Sequence, residues 1–122
     1  MSEKEILLGK DGEEKGARFL QQKGYKILGR NYRCRLGELD IIAQDKDSIV
    51  FVEVKTRQTQ SYGLPEEAVN WRKQRKIEKV ALHWLKLSGI QGRNLRFDVL
   101  SVSPGEIKLF KDAFKASGRY TY

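Results

Sequence analysis

Two carboxylates and an ammonium stand at a spacing that one β-hairpin can gather: Asp40, twelve residues, then Glu53 and Lys55. Asp40 lies in Glu38-Leu39-Asp40-Ile41-Ile42-Ala43, and Glu53 and Lys55 lie in Ile49-Val50-Phe51-Val52-Glu53-Val54-Lys55. Both runs are rich in apolar and β-branched residues, which predicts two strands. Asp45-Lys46-Asp47-Ser48 between them supplies turn residues. A turn centred between Lys46 and Asp47 pairs residues whose numbers sum to 93. That register sets Asp40 opposite Glu53, with Cβ atoms roughly 5 Å apart, and Glu38 opposite Lys55. A slip of one residue would put the two carboxylates on opposite faces.

The surroundings of these acids limit what they can do. The face with Asp40 and Glu53 also carries Ile42, Ile49 and Phe51; the other carries Leu39, Ile41, Ala43, Val50, Val52 and Val54. Both faces are mainly apolar, the pattern of a sheet covered on two sides. Two unpaired carboxylates in such a place repel and resist joint ionisation. A divalent cation resolves the conflict, and hard oxygen ligands suit Mg²⁺ or Mn²⁺. Lys55, two residues beyond Glu53, could orient a metal-bound water or stabilise charge developing on a phosphate. The plainer role for Lys55 is an ion pair with Glu53 or Glu38.

The elements that position these groups follow in order. Residues from about Asp11 to Gly24 read as a helix with Ala17, Leu20 and Gly24 in its apolar stripe. Glu13 lies four before Ala17 and seven before Leu20, so it shares that face; Glu14 falls off it. Glu13 is thus a candidate ligand, directly or through water, or a surface acid favoured by the helix dipole. Tyr25 to Arg30 reads as a first strand, and the hairpin follows. Thr56 to Pro65 is a loop. A second helix is expected from Pro65, with Glu66 and Glu67 in its first turn, to about Leu87, stopped by Ser88-Gly89. Leu95 to Val102 and Glu106 to Phe110 are two more strands joined by Pro104-Gly105. The order is αβββαββ in one domain, residues 1–122, with its core at about 10–110 and a tail at 111–122 expected to fray or bind something.

Candidate nucleic-acid contacts are Arg33, Arg57, Lys73 and Gln74. Arg30, Arg33, Arg35 and Arg57 flank the carboxylate end of the hairpin in sequence. On the second helix, Val69, Ile77, Val80, Ala81, Trp84 and Leu85 form an apolar side that Lys73 interrupts. Lys73 either snorkels to solvent or reaches a phosphate or an acid of the site, with Gln74 beside it. Arg72, Arg75, Lys76 and Lys79 spread over the other faces, as a phosphate-binding surface or a solvated one. Tyr32 and Tyr62 are candidates for stacking on an unpaired base. Asp98, in Arg96-Phe97-Asp98-Val99, reads as a partner for a nearby arginine, without a catalytic role.

These segments resemble a known family. Gly12-Glu13 with Ala17 and Leu20, Gly24-Tyr25, Arg30-Asn31-Tyr32-Arg33, Gly37-Glu38-Leu39-Asp40-Ile41-Ile42-Ala43, Phe51-Val52-Glu53-Val54-Lys55-Thr56-Arg57, Glu67-Ala68-Val69, Lys73-Gln74 and Arg96-Phe97-Asp98-Val99 match in order and spacing. They resemble the YraN-like bacterial family of predicted endonucleases, within the restriction-endonuclease-like PD-(D/E)xK superfamily and similar in plan to archaeal Holliday junction resolvases. The resemblance runs from about Gly12 to Val102. It implies an α/β fold with a mixed central β-sheet flanked by helices. It also implies metal ligation by Asp40 and Glu53, a catalytic Lys55, and Glu13 as the acid of the first helix. The implied activity is Mg²⁺- or Mn²⁺-dependent cleavage of DNA, branched DNA included, in repair or recombination. A homodimer is implied by the same resemblance.

Composition narrows the classes. Net charge is +8 over 122 residues, and a basic excess of this size points to a polyanionic partner. Cys34 is the sole cysteine, so no internal disulfide forms, and the chain reads as cytoplasmic. Met1-Ser2-Glu3-Lys4 opens no signal peptide, and no apolar run approaches membrane-spanning length. One histidine, His83, cannot build a histidine-based metal cluster, and neither a GxxxxGK[ST] loop nor a GxSxG elbow is present. The expected function is a metal-dependent endonuclease. The alternatives are a non-catalytic nucleic-acid-binding module and a subunit whose basic surface meets an acidic protein.

Overall fold

The computed structural model describes residues 3–57 and 69–116, with side chains from residue 10 onward. Its elements are α1 (Glu3–Gln22), β1 (Lys26–Cys34), β2 (Gly37–Asp45), β3 (Ser48–Thr56), α2 (Trp71–Ser88), β4 (Asn94–Ser103) and β5 (Glu106–Phe114). The five strands form one sheet in sequence order, β1-β2-β3-β4-β5. Neighbours are antiparallel except β3 and β4, which are parallel. A parallel pair needs a long crossover, and this crossover carries α2. The architecture is a mixed central sheet flanked by two helices in the order αβββαββ, compatible with a restriction-endonuclease-like fold.

The register of the central hairpin is the expected one. Ile41 pairs with Val52, Ile42 with Phe51, and the ladder closes at Asp45 and Ser48. Lys46 takes φ 55°, a left-handed turn position. Both faces are covered. Ile41, Ala43, Val50, Val52 and Leu100 pack with Ala17 and Leu20 of α1. Ile42, Ile49, Phe51, Phe97 and Val99 pack with Ile77, Val80 and Leu85 of α2. Leu39 departs from the expected alternation and joins the α2 side. The β2–β3 ladder ends at Ile41, and α2 covers that end of β2, so near to the β1–β2 turn that a Cβ on Gly37 would sit 3.1 Å from Lys76 and Val80.

Several boundaries differ from expectation. β1 runs past Arg30 to Cys34, because Tyr32 and Arg33 pair with Leu39 and Glu38 although the segment lacks an apolar alternation. α1 starts at Glu3 rather than near Asp11. The helix expected to run unbroken from Pro65 begins instead at Trp71: Asn70 is extended and caps it, its side chain accepting from the Lys73 N–H at 2.9 Å. The expected Pro65 start, Glu66, Glu67 and Tyr62 lie outside the described residues. β5 extends beyond Phe110 to Phe114, so residues 111–114 belong to the sheet, and Phe114 stacks on Phe97 with ring centroids 4.9 Å apart. Residues 117–122 of the expected tail lie outside the described residues. Among those described, no helix is long and apolar enough to cross a membrane.

Both edge strands are irregular. β1 shifts register between Ile27 and Gly29 and holds Asn31 at φ 53°. β5 shifts opposite Phe97 and Val99 and holds Asp112 at φ 56°.

Candidate active site

Asp40 and Glu53 stand just past the last paired residues of β2 and β3, Ile41 and Val52. There Asp40 replaces the ladder with its own side chain: Oδ2 accepts the Val54 N–H at 2.8 Å. Burial and the neighbouring Glu53 charge push the Asp40 carboxyl up to about 7; Glu13 adds to this, and the Val54 N–H opposes it. Glu53 is 11% exposed and meets two ammonium groups, Lys73 Nζ at 2.7 Å and Lys55 Nζ at 3.8 Å. Burial pushes Lys55 below the ordinary lysine value, and Lys73 beside it adds to that. Burial acts most strongly against the charge on Lys73 as well, but the contacts with Glu53, Lys55 and Asp40 together hold Lys73 above the ordinary value.

Glu13 approaches this group from α1, where two glycines let the helix lie close to the sheet. A Cβ on Gly12 would meet Thr56 Oγ1 at 2.2 Å, and one on Gly16 would meet Leu100 Cδ2 at 2.6 Å. Glu13 acts on Asp40 through its charge. Among the described residues, no group of three or more His, Cys, Asp or Glu side chains is close enough to hold a metal ion. The carboxylates that stand together are the Asp40–Glu53 pair, with Glu13 farther off. The pair suits a hard cation. Burial first and the Glu53 charge second make the Asp40 carboxyl resist ionisation, and the Lys73 ammonium lies against Glu53.

The acidic pair opens into a groove of about 420 Å³ lined by Arg33, Glu38, Asp40, Glu53, Lys73 and Lys76 among others. Asp40, Glu53, Lys55 and Lys73 are brought together. Other candidates are placed elsewhere. Arg33 lines the groove while paired to Glu38 at 3.2 Å, both well exposed. Arg57 gives its backbone N–H to Val102 O at 2.8 Å and is not among the groove's lining residues. Gln74 donates to Val69 O at 2.8 Å and so fixes the entry to α2. Arg30 pairs with Glu14 at 2.8 Å, and the Tyr32 hydroxyl bonds His83 Nδ1 at 2.6 Å. Glu38 is not paired with Lys55; its partner across the sheet is Arg33 on β1. Lys76 was missed as a groove residue, since it read as one charge among many; its spacing of three from Lys73 was the available signal.

Asp98 is structural. It is fully buried and accepts from Arg96 at 2.9 and 3.0 Å, from the Tyr25 hydroxyl at 3.3 Å and from the Asp112 N–H at 2.9 Å. Arg96 also reaches Asp45 at 3.0 Å and the Tyr25 hydroxyl at 2.6 Å. Burial and the Asp98 charge push the Tyr25 phenol well above its ordinary value, so it stays a neutral donor.

Residues 12–102 match the uncharacterised protein family UPF0102, a span that includes Glu13, Asp40, Glu53, Lys55 and Lys73. The chain belongs to UPF0102. A UPF0102 protein of Syntrophus aciditrophicus is 51% identical over 119 residues, covering 93% of this chain and 94% of the relative. One from Persephonella marina is 45% identical over 108 residues, 88% of this chain and 93% of the relative. One from Alkaliphilus metalliredigens is 48% identical over 101 residues, 83% of this chain and 89% of the relative. The family match spans part of α1, β1 to β3, α2 and nearly all of β4.

Proposed function

We propose that this UPF0102 chain is a metal-dependent endonuclease that hydrolyses DNA phosphodiester bonds, branched DNA included. One observation carries the reading: a half-buried Asp40 carboxyl raised to about 7 beside Glu53, with Lys55 and Lys73 on the same pair. Clustered acids with strongly perturbed titration mark functional sites. Asp40 and Glu53 would hold Mg²⁺ or Mn²⁺, with Glu13 at longer range. When bound, the ion supplies Lewis acidity toward the phosphodiester and a water of lowered pKa. The Val54 N–H holds Asp40 in place. Lys55, its ammonium disfavoured by burial, orients the attacking water and meets charge that develops on the phosphate. Lys76 and Arg33 on the groove wall meet the phosphates to either side. DNA repair or recombination in the cytoplasm is the setting that fits such an enzyme.

A second reading is favoured by one feature. Lys73 already neutralises Glu53 at 2.7 Å, which would let the fold bind nucleic acid and never cut. The test that separates the two is cleavage of labelled linear, flapped and four-way-junction DNA with Mg²⁺, Mn²⁺ or EDTA, beside Glu53→Ala. Metal-dependent cutting that vanishes in the variant is expected. Binding to every substrate without cutting would leave the non-catalytic reading.

A further inference from the structure

Around the β1–β2 turn from the acidic pair, a second groove of about 640 Å³ runs along α2. Its apolar surface comes from Trp71, 70% exposed, and Leu36, 36% exposed. Around them stand Arg35, Arg72, Lys76 and Lys79. None of these four cations has an ion-pair partner among the described residues. Arg75, on the same groove, differs: it is tied to Glu78 at 2.7 Å and to Lys115 O at 2.9 Å. Arg72, Lys76 and Lys79 recur at i, i+4 and i+7, so they form one ridge along the helix.

An indole left in water beside four cations that have no ion-pair partner among the described residues is a combination that suits single-stranded nucleic acid. The flat ring offers a stacking platform for any base, and the cations track the phosphates. A duplex would satisfy the cations but keeps its base faces stacked away from the indole. Lys76 lines both this groove and the acidic one, so a strand lying over Lys76 passes from Trp71 toward Asp40 and Glu53. We propose that Trp71, with Arg72, Lys76 and Lys79, binds a single-stranded segment of nucleic acid with one base stacked on the indole. In combination with the proposed nuclease, on which this part rests, the substrate carries an unpaired nucleotide next to the bond that is cut.

The test is binding in EDTA, so it does not depend on catalysis. A short labelled single-stranded oligodeoxynucleotide and the blunt duplex of the same sequence are titrated with the native protein, Trp71→Ala and Trp71→Phe. Circular dichroism checks each fold. Trp71→Ala is expected to weaken single-strand binding roughly five- to hundred-fold while duplex binding changes by less than about twofold. Trp71→Phe is expected to keep most of the affinity yet lose the quenching of tryptophan emission that the single strand causes. An equal loss on both nucleic acids, or no loss on the single strand, overturns the proposal. So does displacement of the single strand by poly-glutamate at the same concentration as by unlabelled oligonucleotide, which would assign the surface to an acidic protein. A protein that shows the Trp71 effect but cuts nothing with Mg²⁺ keeps this site and loses the nuclease. Metal-dependent cutting with indifference to Trp71 does the reverse.

Discussion

Lys73 Nζ lies 2.7 Å from Glu53 Oε1, nearer than the 3.8 Å of Lys55, although Lys55 shares a strand with Glu53. The residue that interrupts the apolar side of α2 is thus the counter-ion of the acidic pair. A divalent cation entering between Asp40 and Glu53 has to compete with that ammonium.

Removing the competitor should therefore strengthen metal binding. Lys73→Ala is expected to tighten Mn²⁺ binding about fivefold, the size of a partly exposed ion pair of about 1 kcal/mol. Isothermal calorimetry reads this without any substrate. Unchanged or weaker binding would show that Lys73 and the metal do not share Glu53.

The Asp40 carboxyl gives a pH signature. Its value in the folded protein, about 7, is above the ordinary 3.8, so between those limits the folded state binds more protons than the unfolded state. Stability of the metal-free protein then falls as pH rises through that window and levels off above it. Asp40→Asn is expected to raise stability at pH 8 by about 1–2 kcal/mol and to change little at pH 4. Urea unfolding at the two pH values with EDTA checks this, and equal effects at both would contradict a raised Asp40 carboxyl. Metal binding to the native protein should release a proton near neutral pH.

The glycines of α1 should be sensitive out of proportion to their size. Gly16→Ala would place a methyl 2.6 Å from Leu100 Cδ2, a fully buried side chain. Overpacking of this kind costs about 1–3 kcal/mol. Leu100→Val in the same chain is expected to recover part of it. Denaturant midpoints for the single and double variants decide the matter, and additive losses would mean that α1 does not press on Leu100.

Asp98 should matter for stability and not for chemistry. Asp98→Ala removes the carboxylate shared by Arg96, the Tyr25 hydroxyl and the Asp112 N–H, leaving Arg96 with Asp45 and Tyr25 only, and losing one partner of a buried ion pair costs about 3–5 kcal/mol. Where enough folded protein remains, Mn²⁺ affinity should be native. A selective loss of metal binding with normal stability would place Asp98 in the site.

The acidic site was legible in the sequence because its geometry is local. Asp45-Lys46-Asp47-Ser48 sets a two-residue turn, the turn sets a register, and the register puts Asp40 and Glu53 side by side. Glu13, on the Ala17–Leu20 face, comes near enough for its charge to act on Asp40 but not near enough to join a group of three acids. The less legible parts depend on pairing or packing from a distance. Arg30 to Cys34 becomes strand only because β2 lies beside it. Leu39 changes sides because α2 covers the end of β2 after β3 has parted from it. Arg33 and Gln74 carry the right chemistry for nucleic acid, yet their nearest partners are Glu38 and Val69 O, which no helical or strand periodicity encodes. Nothing in the sequence separates Trp71 from a core aromatic; only the three-dimensional fold leaves it in water.

The irregular edge strands bear on self-association. Asn31 and Asp112, each in a left-handed conformation on an edge strand, and the register shifts in both edges interrupt the row of free backbone donors and acceptors that another strand would need. Continuous-sheet assembly, whether an ordered pair of copies or a growing aggregate, is disfavoured at both ends. If two copies act together, their junction is expected on helix or loop surfaces, and the sheet of each copy ends where its own chain ends it.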